Sequence, residues 1–221
     1  MEKIIRKIEL PLAKLEIKAA GLYIVQKKDI DRLAQVAADA YRDDPLYAWF
    51  TKVKYDVRNA EQIMRNSLKI VAKDALIYAD SEEINGFAIW LPCGLESGKI
   101  LPFPWNGGFR QLCQAGPGVV SRRLAYESYV TNRQKEGTDR YDWCLYNLSV
   151  MQDAQEQGIA GKLMKPMLRF CDEERMVAYL ETNRGVTASL YQQYGFDLKR
   201  EEQIPKTPVV QYSMIRYPKE E

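Results

Sequence analysis

The run Leu148-Ser149-Val150-Met151-Gln152-Asp153-Ala154-Gln155-Glu156-Gln157-Gly158-Ile159-Ala160-Gly161-Lys162-Leu163-Met164 decides the fold. An apolar strand ends at Val150, a short polar turn follows, and a glycine-containing loop opens a helix. The first turn of any helix carries unpaired N–H groups, and its aligned peptide dipoles make that end partly positive. Such a junction binds an anion, most often a phosphate. Gly158, Ala160 and Gly161 keep the approach open, because a bulky side chain would hold the ligand off the backbone.

The spacing Gln155-x-x-Gly158-x-Ala160 resembles the Q/R-x-x-G-x-G/A signature of the GNAT family of N-acetyltransferases. A second match follows at the expected distance. Val177-Ala178-Tyr179-Leu180-Glu181-Thr182 reads as a buried strand, and Ala188 to Phe196 resembles the family's closing helix, which ends in Y-x-x-x-G-F. The resemblance covers residues 141–216 and, less distinctly, 21–92. It implies an α/β fold: one domain with a mixed, splayed central sheet flanked by helices. It also implies acetyl-CoA as acyl donor, its pyrophosphate held by Gln155, Glu156, Gln157, Gly158, Ile159, Ala160 and Gly161. The pantetheine arm would run along Leu148, Ser149 and Val150, bonding the backbone like an added strand. Asn183, just past the second strand, is a further cofactor contact or a simple helix cap. Three positions depart from the family pattern: Glu156, Gln152 and Thr187.

Composition narrows the classes. In 221 residues, 32 basic and 30 acidic side chains leave a net charge of +2, which gives no nucleic-acid footprint. Apolar residues make up 46%, enough for a sizeable core, and no apolar run approaches a membrane span. The N-terminus lacks the uninterrupted apolar core of a signal peptide, so a cytoplasmic location is expected. Cys93, Cys113, Cys144 and Cys171 are scattered, with no C-x-x-C pair. There is no histidine, so no zinc or other metal site is expected. The same absence removes the commonest general base and excludes Ser-His and Cys-His nucleophiles. Proton transfer falls to carboxylates, tyrosines, cysteines, lysines or water.

Along the chain, residues 1–20 form an extension readable as a strand, a short helix or an arm. The acetyltransferase domain is expected over 21–221. Leu22 to Val25 suggests a strand. Asp29 is placed to cap a helix whose apolar face is Ile30, Leu33, Ala34, Ala37 and Tyr41. Asp43-Asp44-Pro45 ends it, and Asp56 caps a second helix to about Lys73. Residues 76–80 and 86–91 read as a hairpin. An insertion at about 93–140 is loop, then mostly helix. Pro166 in the helix after the glycine loop is expected to kink it without breaking it. Residues 197–203 and 209–216 read as a closing hairpin.

Tyr191 is the sharpest catalytic candidate. The resemblance places it near the acetyl-CoA sulfur, where an O–H stabilises a departing thiolate; the plain alternative is a core tyrosine. Tyr194 is expected to pack beside Phe196. Glu181, at the end of its strand, is the candidate base; it could equally cap the next helix or pair with Arg184. Asp142 is a weaker candidate. Lys162 reads as a phosphate contact or a solvated lysine. The stretch Asp43 to Phe50, read as a loop, is aromatic and acidic, and aromatic faces with carboxylates suit an amine-bearing, partly apolar acceptor; Tyr47, Trp49 and Phe50 form its wall, with Trp90, Phe103, Trp105 and Tyr126 opposite. The reading is an acetyl-CoA-dependent transferase acting on a primary amine of a small molecule by direct attack in a ternary complex, without nucleic-acid or membrane partners. The alternative is a non-catalytic acyl-CoA-binding module. Oligomeric state is not encoded legibly.

Overall fold

The computed structural model describes residues 13–14, 16–51, 55–93 and 141–219, together with Gly118, Ser121, Arg122, Ala125, Tyr126, Ser128 and Tyr129. Expectations for Phe103, Trp105 and Cys113, and most of those for the insertion, lie outside these residues, as does the side chain of Phe50. A single sheet of seven strands carries the fold: β1 (Tyr23–Ile24), β2 (Leu76–Ala79), β3 (Gly86–Pro92), β4 (Trp143–Val150), β5 (Ala178–Thr182), β6 (Asp197–Gln203) and β7 (Val210–Arg216). Their spatial order is β1-β2-β3-β4-β5-β7-β6. Every pairing is antiparallel except β4 with β5. That parallel pair needs a crossover, which the helix after the glycine loop supplies.

Side chains alternate between the two faces with period two. Tyr78, Ala88, Trp90, Trp143, Leu145, Ala178, Leu180 and Met214 face α4 (Ile159–Glu173) and α5 (Gly185–Gln193). Ile77, Ala79, Phe87, Ile89 and Leu91 face α1 (Ile30–Ala40) and α3 (Val57–Val71). Pro166 lies buried within α4 without ending it. Residues 13, 14 and 16–19 of the N-terminal extension are helical, and Ala13 and Ile17 lie fully buried in the first of these cores.

Asp56 caps α3 as expected, accepting from the Asn59 N–H at 2.7 Å. Asp29 precedes α1, but its carboxylate reaches back to the Gln26 N–H and the Tyr23 hydroxyl, both at 2.8 Å. The stretch read as a loop is a correction: Pro45–Thr51 is a helix, α2. The Asp44 carboxylate accepts from the Tyr47 N–H at 2.7 Å, and Pro45 opens the first turn. Proline ends one helix and suits the start of the next, because its missing N–H is one the first turn leaves unpaired anyway.

Two local features shape the functional end of the sheet. Ile89 pairs with Asn147 while Trp90 pairs with Leu145, so Tyr146 is a bulge in β4. A bulge bends its strand and raises the local twist. The β4–β5 ladder ends at the same level: its pairs are Trp143 with Ala178, Cys144 with Tyr179 and Leu145 with Leu180, and none follows. Beyond Leu145 the two strands part. Gly86, where β3 begins, is the second feature. A Cβ there would lie 2.7 Å from Ile159 Cγ2 and 3.2 Å from the Ser149 carbonyl oxygen. Only glycine lets the first residue of α4 sit against the hairpin.

Gly86→Ala is therefore expected to destabilise the fold by about 1–3 kcal/mol, the usual cost of overpacking, read as a lowered urea midpoint. Ile159→Ala in the same chain should recover part of that loss, because the two sites share one contact.

Candidate active site

The loop from β4 into α4 is fixed by its neighbours. Two α1 side chains hold its start: Asp39 accepts from the Gln152 N–H at 2.7 Å, and Arg32 reaches Met151 Sδ at 3.2 Å and the Glu83 carbonyl at 3.0 Å. Met151 also donates its N–H to the Asn85 carbonyl across the hairpin turn. That turn is closed by Asp80, which accepts from the N–H groups of Asn85 and Gly86. Lys162 donates to the Asp80 carbonyl at 2.7 Å, so its ammonium ties α4 to the hairpin.

Gln155 donates its side-chain amide to the Val150 carbonyl, and Gln157 to the Asp153 carbonyl. Glu156 and Gly158 take left-handed conformations, φ 63° and 78°. Glu156 is exposed to solvent. The first intrahelical bond of α4 runs from the Lys162 N–H to the Gly158 carbonyl. Ile159, Ala160 and Gly161 thus present first-turn N–H groups with no partner inside the helix. A Cβ on Gly158 would meet nothing within 4 Å, so the space before these donors is open. A Cβ on Gly161 would lie 3.0 Å from the Tyr194 hydroxyl.

Where β4 and β5 part, two adjoining cavities open, of about 290 and 140 Å³. Both are lined by Tyr41, Asp44, Leu145, Tyr146, Asn147, Glu181 and Asn183. Tyr126 and Tyr179 line the larger, and Leu148, Thr187 and Tyr191 the smaller. Asn147 is held at both ends of its amide: it donates to the Tyr41 hydroxyl at 3.0 Å and accepts from Ser149 Oγ at 2.8 Å. Glu181 accepts from the Tyr179 hydroxyl at 2.6 Å. Tyr191 is buried, with its ring against Phe196 at 6.0 Å in an edge-on contact. Tyr194 packs against the same core as Phe196.

Burial dominates the electrostatics. It raises the carboxyl of Glu181 above the usual range, against the lowering effect of hydrogen bonds from Tyr179 and Gln211. It raises Asp44 too, against the backbone N–H groups of Tyr47 and Leu46. The phenols of Tyr41, Tyr126, Tyr179 and Tyr191 are all pushed up by burial, so each stays a proton donor at neutral pH. Tyr126 lines the larger cavity with Glu181 and Asp44, and after burial their negative charges raise its phenol further.

Several sequence expectations are redirected. Trp90 lies in the core on the α4 side: it is fully buried and donates to the Tyr78 hydroxyl at 2.9 Å, which donates to the Leu163 carbonyl. It does not line an acceptor site. Tyr47 packs in a satellite core with Ala38 and Ala60, its ring 5.5 Å from that of Tyr55. Asp142 accepts from the Val177 N–H at 2.8 Å at the far end of β4 and is no base candidate. Among the described residues Glu181 makes no ion pair with Arg184, and the hydroxyl facing the Arg184 N–H belongs to Thr182. Asn183 donates to the Val210 carbonyl and caps nothing, although it lines both cavities. Sequence reasoning passed over Tyr41, Tyr146, Asn147 and Tyr179 as site residues, and named Asp44 only within an acidic, aromatic stretch suited to an amine. Period-two alternation marks Tyr179 as sharing a face with Glu181, and the Asp-Pro pair marks Asp44 as a helix cap; neither signal points to a cavity.

No protein-family profile matches the chain. An uncharacterized N-acetyltransferase of Schizosaccharomyces pombe, C550.08, is 25% identical over 180 residues, 78% of this chain and 72% of that protein. The fold is shared with solved structures of low identity. One is a Corynebacterium glutamicum histone acetyltransferase HPA2 and related acetyltransferase (TM-score 0.58, 16% identity, 90% of this chain and 97% of that one). Another is arylalkylamine N-acetyltransferase 2 of Aedes aegypti (0.57, 19%, 90% and 98%), and a third the polyamine N-acetyltransferase of Drosophila melanogaster (0.54, 14%, 89% and 98%). The signature, the splayed sheet and these likenesses agree: the fold is that of GNAT acetyltransferases, and the chain is similar to a protein named as an N-acetyltransferase.

Ala160→Glu tests the anion site without the strain a side chain would bring at Gly158. A carboxylate in the first turn of α4 favours the helix dipole, so the melting temperature should not fall. The same charge repels phosphate, and CoA affinity measured by calorimetry should drop more than tenfold, about 1.4 kcal/mol or more.

Proposed function

We propose that the chain transfers an acetyl group from acetyl-CoA to a cationic primary amine of a small molecule by direct attack in a ternary complex. One observation carries the acceptor half. The larger cavity at the parting of β4 and β5 is lined by two carboxylates, Asp44 and Glu181, among four tyrosines, with no lysine or arginine among its described lining residues. Such a site attracts an ammonium group and stacks or wraps an alkyl or aryl stem. Relatives of the same fold include enzymes named for arylalkylamines and for polyamines, which supports this class of acceptor.

The donor half rests on fit. The N–H groups of Ile159, Ala160 and Gly161, with open space beyond Gly158, suit a pyrophosphate. The edge of β4 from Tyr146 to Val150 that is unpaired with β5 suits the amides of a pantetheine arm. Acetyl-CoA would supply the acyl group as a thioester. Glu181 would take the proton from the acceptor ammonium, its raised proton affinity matching a base that works near neutrality. Asp44 would hold the amine or a second cationic centre. Tyr191 would present its hydroxyl to the departing sulfur and keep its own proton otherwise, as its burial requires.

Release of free thiol from acetyl-CoA with agmatine, putrescine and tyramine tests this reading; no turnover with any amine, despite acetyl-CoA binding, would favour a binding module. Tyr191→Phe is expected to lower kcat by about 100-fold, the low end of general acid catalysis, with acetyl-CoA affinity unchanged. Tyr194→Phe is the control, and equal small losses at both rings would make Tyr191 a packing residue. Acetyl-CoA at ten times its Kd should stabilise the fold by about 1.4 kcal/mol, seen as a raised Tm.

A further inference from the structure

β5 places Tyr179 and Glu181 two residues apart, so both side chains leave the same face of the strand and enter the larger cavity. Their contact is short: the Tyr179 hydroxyl donates to Glu181 Oε1 at 2.6 Å. The Tyr179 ring does not swing freely. Tyr141 stacks on it with centroids 4.6 Å apart and planes 15° from parallel. The donor is therefore clamped by a neighbouring ring, and it engages one named oxygen of the carboxylate.

We propose that Tyr179 is a positioning residue for acetyl transfer: its stacked ring and its hydroxyl hold the Glu181 carboxylate through Oε1 in the orientation that receives the acceptor's proton. The inference rests on Glu181 as the base. It assigns Tyr179 two effects. It sets the direction in which the carboxylate points, and it stabilises the ionised form, the one able to accept a proton.

The groups around Glu181 make the second effect separable. Tyr179 on its own strand and Gln211 on β7 both donate to it and favour the charged form. Glu202 on β6 opposes it by like charge. Tyr126, Tyr41, Asp44 and Tyr146 line the same cavity. Tyr179 itself is held protonated by burial and by the Glu181 charge, so it donates across the working pH range. Removing only its hydroxyl deletes one stabiliser of the anion and leaves the rest.

The sign follows directly. A base works when deprotonated, so kcat/KM climbs with pH through its proton affinity. Tyr179→Phe makes protonation of Glu181 easier and should move that acid limb upward by about one pH unit, since a hydrogen bond to a charged group is worth roughly that much. Activity on the alkaline plateau should change far less than activity at pH 6. A purely structural tyrosine would lower the whole profile and leave the limb where it was.

The experiment compares wild type, Tyr179→Phe and Glu181→Gln. Acetyl-CoA with tyramine or agmatine gives the pH profiles. In parallel, carbon-13 NMR of glutamate-labelled protein follows the Glu181 carboxyl directly, its signal assigned by its loss in Glu181→Gln, so the proton affinity is read whatever the acceptor. An upward shift of that titration in Tyr179→Phe, with a matching shift of the acid limb, is the expected result. An unshifted titration overturns the role of Tyr179 even if Glu181→Gln abolishes the limb, and the base assignment then stands alone. A limb that survives in Glu181→Gln overturns the base assignment, and with it the positioning role.

Discussion

The functional end of this molecule depends on one irregularity, the extra residue at Tyr146. Up to Leu145, β4 pairs with both neighbours, and a fully paired strand offers no backbone to a ligand. At Tyr146 the register against β3 slips by one, and the ladder to β5 ends at the same level. The bend points the last five residues of β4 away from β5. The opened wedge exposes strand edge and is lined by Tyr191 from α5 and Ala40 from α1. The proposed donor groove and acceptor cavity would both arise from a single local defect in pairing.

A wedge in a sheet would close or fray unless its sides were tied elsewhere. The ties lie outside the cavity. Asp39 and Arg32 hold the start of the loop to α1, Lys162 and Gly86 hold α4 to the hairpin, and Arg216 joins the far side. Its guanidinium donates to Asp172 at 2.7 Å and to the Tyr194 carbonyl at 3.0 Å, binding the C-terminal ends of α4 and α5 through β7. Each is a contact between elements distant in sequence, so the geometry of the anion site is a property of the whole domain.

What could be read from sequence divides along the same line. Features set by neighbours a few residues away were legible: the turn into α4, the Asp56 cap, the hairpin around 81–85, the closing helix and the last two strands. The splay itself came from resemblance, because nothing in the residues around Tyr146 announces a bulge. Trp90 shows why aromatic side chains were misassigned. Its type suits an acceptor wall, but strand parity turns it, with Tyr78 and Ala88, toward α4. Asp44 shows the converse. Its local role as a helix cap was masked by reading Pro45 as a terminator alone, and its place beside Glu181 follows only from the packing of α1 and α2 against the open end of β4 and β5.

A chain without histidine still has to move protons near neutrality, and the cavity shows how burial alone can arrange it. Desolvation shifts carboxyls and phenols in the same direction, upward, but from different starting points. A carboxyl raised from its ordinary range moves toward the working pH and becomes a useful base. A phenol raised from about 10 moves further from it and becomes a fixed donor. Glu181 and Asp44 fall on the first side of that division, Tyr41, Tyr126, Tyr179 and Tyr191 on the second. One physical effect, acting on two residue types in one cavity, separates acceptors of protons from donors. The short contact between Tyr179 and Glu181 then tempers the shift where the two sets meet.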